Sequence, residues 1–242
     1  MPNNESEFNI DELLEEKNRL TSLLRGGKGD VLYEEFALIP EGLIVETIKL
    51  KKEIEKLQRL VYKDELTGVY NRRGFFEILD PVFKEAYFHK QNPDHDRRAR
   101  WGDLGIIFAD LDNFKSINDT YGHKEGDEIL KAFARTMKKI ARETDVIGRL
   151  GGEEFIVALL GADDDITYKK AEEIREGILD NVKVSTDTGR VISASLGIAS
   201  LQGATPGTLD ELVGFADKAM YEAKKNRGKN NTVRWSEIEN NK

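Results

Sequence analysis

Carboxylates spaced as in a metal site occur in two separate parts of this 242-residue sequence. Glu153 and Glu154 directly follow the pair Gly151-Gly152, and the pair stands between two apolar runs. A glycine pair between such runs predicts a β-hairpin, because a tight turn needs positive φ without the steric cost of a Cβ atom. Adjacent carboxylates at a turn repel each other unless a cation or a proton intervenes. The alternative is a solvated acidic turn.

Asp110 and Asp112 follow another apolar run, residues 104–109, in a different part of the chain. This run is short and partly β-branched and therefore predicts a buried strand. Mg²⁺ prefers oxygen ligands and is usually held by one or two carboxylates together with substrate phosphates. Asp110 and Glu153, with Glu154 as a further candidate, would supply such a set. The alternative makes the two aspartates turn or N-cap residues.

Four sequence blocks extend this pattern: residues 64–75, 110–127, 151–155 and 216–224. In type and order they resemble the GGDEF-domain diguanylate cyclases, and the resemblance covers residues 64–235. It implies an α/β (α+β) palm-like fold, in which helices flank a central, mainly antiparallel sheet. It also implies a reaction that condenses two GTP molecules into cyclic di-GMP and two pyrophosphates. A catalytically silent domain that binds GTP or cyclic di-GMP as a sensor is the alternative.

The resemblance implies a catalytic centre with two Mg²⁺ (or Mn²⁺) ions per active site. The ligands would be the side chains of Asp110, Glu153 and Glu154 and the carbonyl oxygen of Leu111. Glu153 is also the candidate for accepting the proton of the ribose 3′-hydroxyl. Two divalent ions can activate that hydroxyl and stabilise the leaving group.

GTP binding is implied for a further set of residues: Asn113, Phe114, Lys115, Asn118, His123, Asp127 and Lys224. A carboxylate such as that of Asp127 accepts hydrogen bonds from both N1–H and N2–H of guanine, a donor pair that adenine lacks. For Asn118 and Asp127 the alternatives are turn formation and helix capping.

The triphosphate would be bound by Lys115 and Lys224, because ammonium groups bind phosphate as mobile point charges. Backbone amides around Asn113 would add a phosphate nest. The family usually follows its lysine with Gly-Arg-Asn. This chain is one residue longer there and has Lys229 in place of the arginine, so the cation that completes the phosphate site is left open.

Arg142 and Asp145 have the spacing of the family's Arg-x-x-Asp product-inhibition motif. Arginine binds a guanine edge or a phosphate through two parallel hydrogen bonds. The family usually adds a second arginine from the following helix, where this chain has Glu173 and, nearby, Arg175. We therefore expect an inhibitory cyclic di-GMP site at Arg142, Asp145 and Arg175. A surface ion pair is the alternative.

Residues 1–62 are predicted to form an N-terminal helical dimerisation or signalling region, and residues 63–242 the cyclase domain. Residues 10–24 have an amphipathic helical pattern. A second helix, from near Pro40, carries a heptad seam at Leu43, Thr47, Leu50, Ile54, Leu57 and Val61. The seam either packs on the chain's own domain or, as we favour, forms a homodimer. A dimer brings two GTP-bound sites together, as a product with two symmetric linkages requires.

Strands are predicted at residues 104–109 and 191–200, and a hairpin at residues 145–160. Helices are predicted from residue 72 onward and over residues 125–141, 166–180 and 208–226. Residues 86–103 are predicted to be a polar surface loop. The chain has no cysteine, which excludes disulfides, and a net charge of −8, which argues against a nucleic-acid partner. No apolar run is long enough to span a membrane and the N-terminus lacks a secretory pattern, so a cytoplasmic location is expected.

Overall fold

The computed structural model describes residues 41–92, 102–184 and 190–239. The chain divides into two units, with the division between Arg59 and Leu60. The helices are α1 Glu41–Tyr62, α2 Arg72–Gln91, α3 Phe114–Tyr121, α4 His123–Ile140, α5 Asp164–Asn181, α6 Leu209–Lys225 and α7 Trp235–Glu239. The strands are β1 Tyr70–Asn71, β2 Leu104–Leu111, β3 Val146–Gly151, β4 Glu154–Leu160, β5 Ala194–Ser200 and β6 Thr232–Arg234. The helix predicted over residues 10–24 lies outside the described residues.

The described strands form a six-stranded sheet in the order β1-β3-β4-β2-β5-β6. The inner pairs β3–β4, β4–β2 and β2–β5 are antiparallel, whereas β1–β3 and β5–β6 are parallel. Every residue of β2 and β5 is buried. A sheet buried on both faces needs apolar cover on each. The predicted mainly antiparallel sheet with flanking helices is therefore confirmed.

Two hydrophobic clusters cover the two faces of the sheet. Helices α3, α4 and α5 supply one cluster through residues such as Phe114, Phe133 and Ile174. Helices α2, α6 and α7 supply the other, with Phe75 and Trp235 among its large side chains. Since the strand ends are anchored between these two layers, side chains that follow β2 or precede β4 are held on rigid backbone.

Helix α1 is described from Glu41 to Tyr62, and part of its heptad seam is solvent-exposed. Leu50, Ile54 and Leu57 are 54%, 53% and 55% exposed, respectively. Apolar side chains that repeat at heptad positions form a continuous face, and covering that face with another apolar surface stabilises it. Across the described ranges, no helix has the length and apolarity needed to cross a membrane.

Two local predictions differ from the structure. Helix α3 was not predicted, because residues 116–120, Ser-Ile-Asn-Asp-Thr, favour turns and caps over helix interiors. Burial of Phe114 and Ile117 in the core outweighs that preference. The polar loop predicted over residues 86–103 is wrong at its start, since α2 continues to Gln91 and buries Ala86. Residues 93–101 lie outside the described part.

Gly197 allows α6 to pack directly on β5. A Cβ atom at this position would lie 2.0 Å from the Met220 amide nitrogen and 2.2 Å from the Ala216 carbonyl oxygen. We expect Gly197→Ala to lower the free energy of unfolding by about 1–3 kcal/mol or more, because helix backbone must move. Urea denaturation measures the change.

Gly214→Ala is the matched control, since a Cβ there meets no described atom within 4 Å and the residue lies inside α6. Alanine is favoured over glycine in a helix, so this variant should gain about 0.5–1 kcal/mol. Equal unfolding free energies for the two variants would contradict the packing role of Gly197.

Candidate active site

The centre of the site lies where β2 ends beside the β3–β4 turn. Asp110 pairs in register with Glu154 of β4 on one side and with Ser195 of β5 on the other. Directly opposed residues of antiparallel strands have Cβ atoms about 4.5–5.5 Å apart and project from the same face. The fold therefore brings together carboxylates that lie more than forty residues apart in the sequence.

The turn that carries Glu153 requires glycine for its conformation rather than for space. Gly151 pairs with Glu154, so Gly152 and Glu153 form a two-residue turn. Gly152 has φ +45°, and a Cβ built there would meet no described atom within 4 Å. A left-handed residue in so short a turn favours glycine because a side chain would strain the backbone.

Arg149 fixes this turn to the beginning of the domain. Its Nη1 lies 3.1 Å from both carboxylate oxygens of Asp64, while its Nε and Nη2 donate to the carbonyl oxygen of Gly152 at 2.9 and 2.6 Å. Burial alone would raise the pKa of Asp64, but hydrogen bonds from Thr67 and the charge of Arg149 outweigh it and leave that pKa lowered. Arg149 is thus the arginine that pairs with Asp64.

Burial and mutual repulsion both make ionisation of the carboxylate cluster unfavourable. Burial is the main cause that raises the pKa values of Asp110, Glu153 and Glu154, and the charge of Asp110 raises those of both glutamates further. The Nζ of Lys224 lies 2.5 Å from Oδ1 of Asp110, in an ion pair that opposes these shifts. Partial burial also raises the pKa of Asp217, which is more exposed than the other three and adds to the repulsion at Glu154. Because four carboxylates with raised pKa values lie together, added positive charge would stabilise their ionised forms.

The donor set fits a divalent ion that is shared with a ligand rather than a closed protein cage. Among residues 41–92, 102–184 and 190–239, no group of three or more acidic or histidine side chains is arranged to hold a metal. Mg²⁺ commonly retains water and uses only one or two carboxylates together with phosphate oxygens. Asp110 and one of the two glutamates meet that lower requirement.

Asp112 is a structural residue despite its place beside Asp110. Only 4% of it is exposed, and its Oδ1 and Oδ2 accept hydrogen bonds from the hydroxyls of Ser195 and Ser193, each at 2.7 Å. Oδ2 also accepts from the backbone amide of Asn230 at 3.0 Å. Its acceptor capacity is thus directed into the protein, where it ties β2, β5 and the segment before β6 together.

Asn113 and Phe114 form the start of α3. Asn113 adopts a left-handed conformation with φ 61°, and its Oδ1 accepts a hydrogen bond from Nζ of Lys229 at 2.6 Å. The Phe114 side chain is buried, so its backbone amide is the group left for a ligand, whereas Lys115 is exposed. A helix N-terminus flanked by lysines is favourable for an anion.

Asn118 belongs to α3, and its side-chain amide lies next to Gly126, near the start of α4. Within the described ranges its buried Oδ1 has no hydrogen-bond partner. A Cβ at Gly126 would lie 1.9 Å from that oxygen, so the glycine makes room for the amide. A buried acceptor without a partner costs stability unless a ligand satisfies it. Asp127 and His123 are exposed.

Arg142 and Asp145 meet in a turn, through the backbone rather than through their charges. The amide of Arg142 donates to Oδ2 of Asp145 at 2.8 Å, and the amide of Asp145 donates to the Arg142 carbonyl at 3.0 Å. A cleft of about 180 Å³ adjoins them, and Lys63 and Lys138 contribute to its wall. Its cations make the cleft suitable for an anion.

The structure does not bring Arg175 to this cluster. Lys170 and Gly177 mark the side of α5 that contacts Ile140 at the end of α4. Arg175 lies about 140–160° around the helix from both. It pairs instead with Glu172 and donates from Nη1 to Oδ1 of Asn230 at 3.2 Å. Its predicted place in the inhibitory site is therefore not supported, because its guanidinium faces the loop before β6.

Sequence reasoning overlooked Asp217 and the partner of Lys229. Asp217 precedes Lys224 by seven residues, a spacing that places both on one helix face, so the signal was present. The contact of Lys229 with Asn113 joins residues 116 apart. Local spacing gives no sign of it.

Comparison with known proteins adds independent information. The family model described as "Diguanylate cyclase, GGDEF domain" matches residues 61–231. Diguanylate cyclase DgcM of Escherichia coli K12 is 36% identical over 191 residues, which are 78% of this chain and 42% of that protein. The uncharacterized protein YhcK of Bacillus subtilis is 39% identical over 164 residues, 66% of this chain and 42% of that protein. The chain thus spans less than half the length of these relatives.

Solved structures share the fold. The GGDEF domain of DgcB from Caulobacter crescentus, in complex with c-di-GMP, gives a TM-score of 0.60 at 26% identity and covers 72% of this chain and 93% of that one. The active GGEEF domain of a diguanylate cyclase from Vibrio cholerae gives 0.59 at 28% identity, with 68% and 96% covered. On the family match and these relatives, the chain belongs to the GGDEF-domain diguanylate cyclase family.

Proposed function

We propose that this chain is an active diguanylate cyclase. In each of two steps, the 3′-hydroxyl of one GTP attacks the α-phosphorus of the other; a new P–O bond forms, the bond to pyrophosphate breaks, and the hydroxyl loses its proton. The observation that carries the proposal is the pairing of Asp110 with Glu154 beside Glu153 and Lys224. Phosphoryl-type transfer needs positioning and charge neutralisation more than covalent catalysis.

Asp110 and Glu153 would hold the divalent ions, with the carbonyl of Leu111 and the Glu154 carboxylate as further ligands. Bound Mg²⁺ or Mn²⁺, two per site, would supply charge neutralisation at the phosphates and a lowered pKa for the attacking hydroxyl. Glu153 is the candidate for removing the hydroxyl proton, since its raised pKa moves it towards the range of a useful base.

Guanine specificity would rest on Asn118 and Asp127. The unpartnered Oδ1 of Asn118 supports this, since guanine offers N–H donors on the edge that a protein amide and carboxylate can read. Lys115, Lys224 and Lys229 would bind the triphosphate. Lys229 is the cation that the structure favours for completing that site, because its contact with Asn113 holds it at the N-terminus of α3.

A homodimer would provide the second GTP. Exposure of Leu50, Ile54 and Leu57 along α1 supports association through that helix. Tethering two domains raises their effective concentration and so the frequency at which two sites meet. We propose residues 1–62 for this role and residues 63–242 for catalysis. In c-di-GMP complexes of family members the nucleotide binds a GGDEF domain, and we propose Arg142 and Asp145 for an inhibitory site here.

A silent domain that only binds nucleotide is the second candidate. Loss of the acidic residues would favour it, yet Asp110, Glu153 and Glu154 are all present. The following assay separates the two functions.

The proposed cyclase activity can be tested directly. With GTP and Mg²⁺, chromatography should show cyclic di-GMP and pyrophosphate in a one-to-two ratio, and ATP should give neither. Glu153→Gln should lower the rate by about 10²-fold or more, because it removes a ligand and a base together. Glu128→Gln, at an exposed carboxylate of α4 paired with Lys131, is the matched control. GTP binding without any product in the wild type would select the silent domain.

The second prediction concerns pH. The folded-state pKa of Glu154 is raised, so the folded protein holds the proton more tightly and loses stability as the pH rises through that pKa. In EDTA at neutral pH, Glu154→Gln should therefore melt about 1–3 °C higher than the wild type. At about pH 3, the Glu154 carboxyl group is protonated in both the folded and the unfolded protein, and the difference in melting temperature should vanish.

Differential scanning calorimetry measures both conditions, and Glu128→Gln again serves as the control, because hydrogen bonding to Lys131 lowers the pKa of that carboxylate. A Glu154→Gln protein that melts lower at neutral pH in EDTA would contradict the repulsion in the cluster.

The third prediction concerns inhibition. Added cyclic di-GMP should slow the wild type, and Arg142→Ala should raise the half-inhibitory concentration about tenfold by removing a charged donor. Arg135→Ala, at an exposed arginine of the preceding helix α4, is the control. Unchanged inhibition in Arg142→Ala would remove this site from regulation.

A further inference from the structure

The loop between α6 and β6 has an unusual backbone. Gly228, Lys229 and Asn230 all have positive φ, at 82°, 67° and 45°. Consecutive left-handed residues other than glycine are unfavourable by about 1 kcal/mol or more each and persist only where surrounding contacts impose them. The contacts that impose this conformation therefore determine where the Lys229 side chain lies.

Both ends of the strained stretch are held by specific hydrogen bonds. The amide of Lys229 donates to the carbonyl of Ala223 at 3.1 Å. The amide of Asn230 donates to Oδ2 of the buried Asp112 at 3.0 Å, and its side-chain Oδ1 accepts from Nη1 of Arg175 at 3.2 Å. Arg175 is thus the side chain that reaches this loop from α5.

Arg175 is itself held in a fixed orientation. Its Nε and Nη2 donate to the two carboxylate oxygens of Glu172 at 3.0 and 2.8 Å. A guanidinium bound at two points by a carboxylate is oriented as a plane, which fixes the direction of its remaining Nη1 donor. The side chain is only 16% exposed, so solvent competes weakly for these donors.

The loop delivers Lys229 to the start of α3. Its Nζ lies 2.6 Å from Oδ1 of Asn113, although Lys229 is largely exposed and belongs to a loop. Without an imposed backbone, a four-carbon side chain on a surface loop would sample many positions at a cost in entropy on binding. A fixed loop lowers that cost.

We propose that Arg175 and Asn230 form a clamp that positions Lys229 for the phosphates of the nucleotide. Arg175 is in this role a positioning residue that contacts no substrate. The inference rests on the proposed function, because it assigns the anion beside α3 to a nucleoside triphosphate. It also explains why a basic residue of α5 faces away from Arg142 and Asp145.

A double-mutant cycle tests the clamp directly. The readout is the affinity of the full chain for 3′-deoxy-GTP with Mg²⁺, measured by calorimetry, because this nucleotide lacks the attacking hydroxyl and cannot react. Arg175→Ala and Lys229→Ala should each weaken binding about three- to tenfold. If Arg175 acts only through Lys229, the double variant should bind no more weakly than Lys229→Ala alone.

Further variants separate positioning from folding and from charge. Asn230→Gly keeps the left-handed backbone and the hydrogen bond from the residue 230 amide to Asp112, but it removes the oxygen that accepts from Arg175. Its affinity for the nucleotide should therefore equal that of Arg175→Ala. Lys169→Ala removes an exposed cation of α5, the helix that carries Arg175, and should leave nucleotide binding unchanged. In cyclase assays, Arg175→Ala should raise the GTP concentration for half-maximal rate and leave kcat within about twofold.

Independent losses that multiply in the double variant would overturn the clamp, as would wild-type affinity in Asn230→Gly. The proposed function fails separately: a wild-type chain that binds 3′-deoxy-GTP but forms no cyclic di-GMP would refute the cyclase while the cycle still decides the clamp. A wild-type chain that does not bind the nucleotide at all would refute both.

Discussion

The crowding of partly buried carboxylates at the end of the central strand is the physical constraint around which the candidate site is built. Asp110 lies opposite Glu154 and close to Glu153, and burial makes each negative charge costly. Lys224 offsets part of that cost through its ion pair with Asp110. An arrangement of this kind lowers the stability of the folded protein and is typical of functional sites.

The surrounding residues hold this cluster in place without taking part in it. Arg149 links Asp64 to the carbonyl of Gly152 and so fixes the turn that carries Glu153. Asp112 accepts hydrogen bonds from two serine hydroxyls and one backbone amide next to Asp110. Both are charged residues close to the carboxylate cluster, and their hydrogen bonds are made to other groups of the protein. Rigid support of this kind keeps reacting groups in a productive geometry.

The sequence predicted the elements whose signals are local. The β3–β4 hairpin, the buried β2 and the long helices follow from glycine pairs and apolar periodicity, and the family resemblance supplied the sheet type. Helix α3 was missed because its turn-forming residues are outweighed by burial of Phe114 and Ile117. The contact of Arg175 with Asn230 was not predictable either, since the two residues lie fifty-five positions apart. Long-range hydrogen bonds leave no periodic trace in a sequence.

The most direct test of the central claim is a titration with Mn²⁺, followed by electron paramagnetic resonance, in the presence of 3′-deoxy-GTP. The account predicts that the wild type removes the free Mn²⁺ signal in proportion to bound nucleotide, and that Asp110→Asn weakens this binding at least about tenfold. Equal Mn²⁺ binding by the wild type and Asp110→Asn would contradict it, because the carboxylate at the end of β2 would then hold no ion.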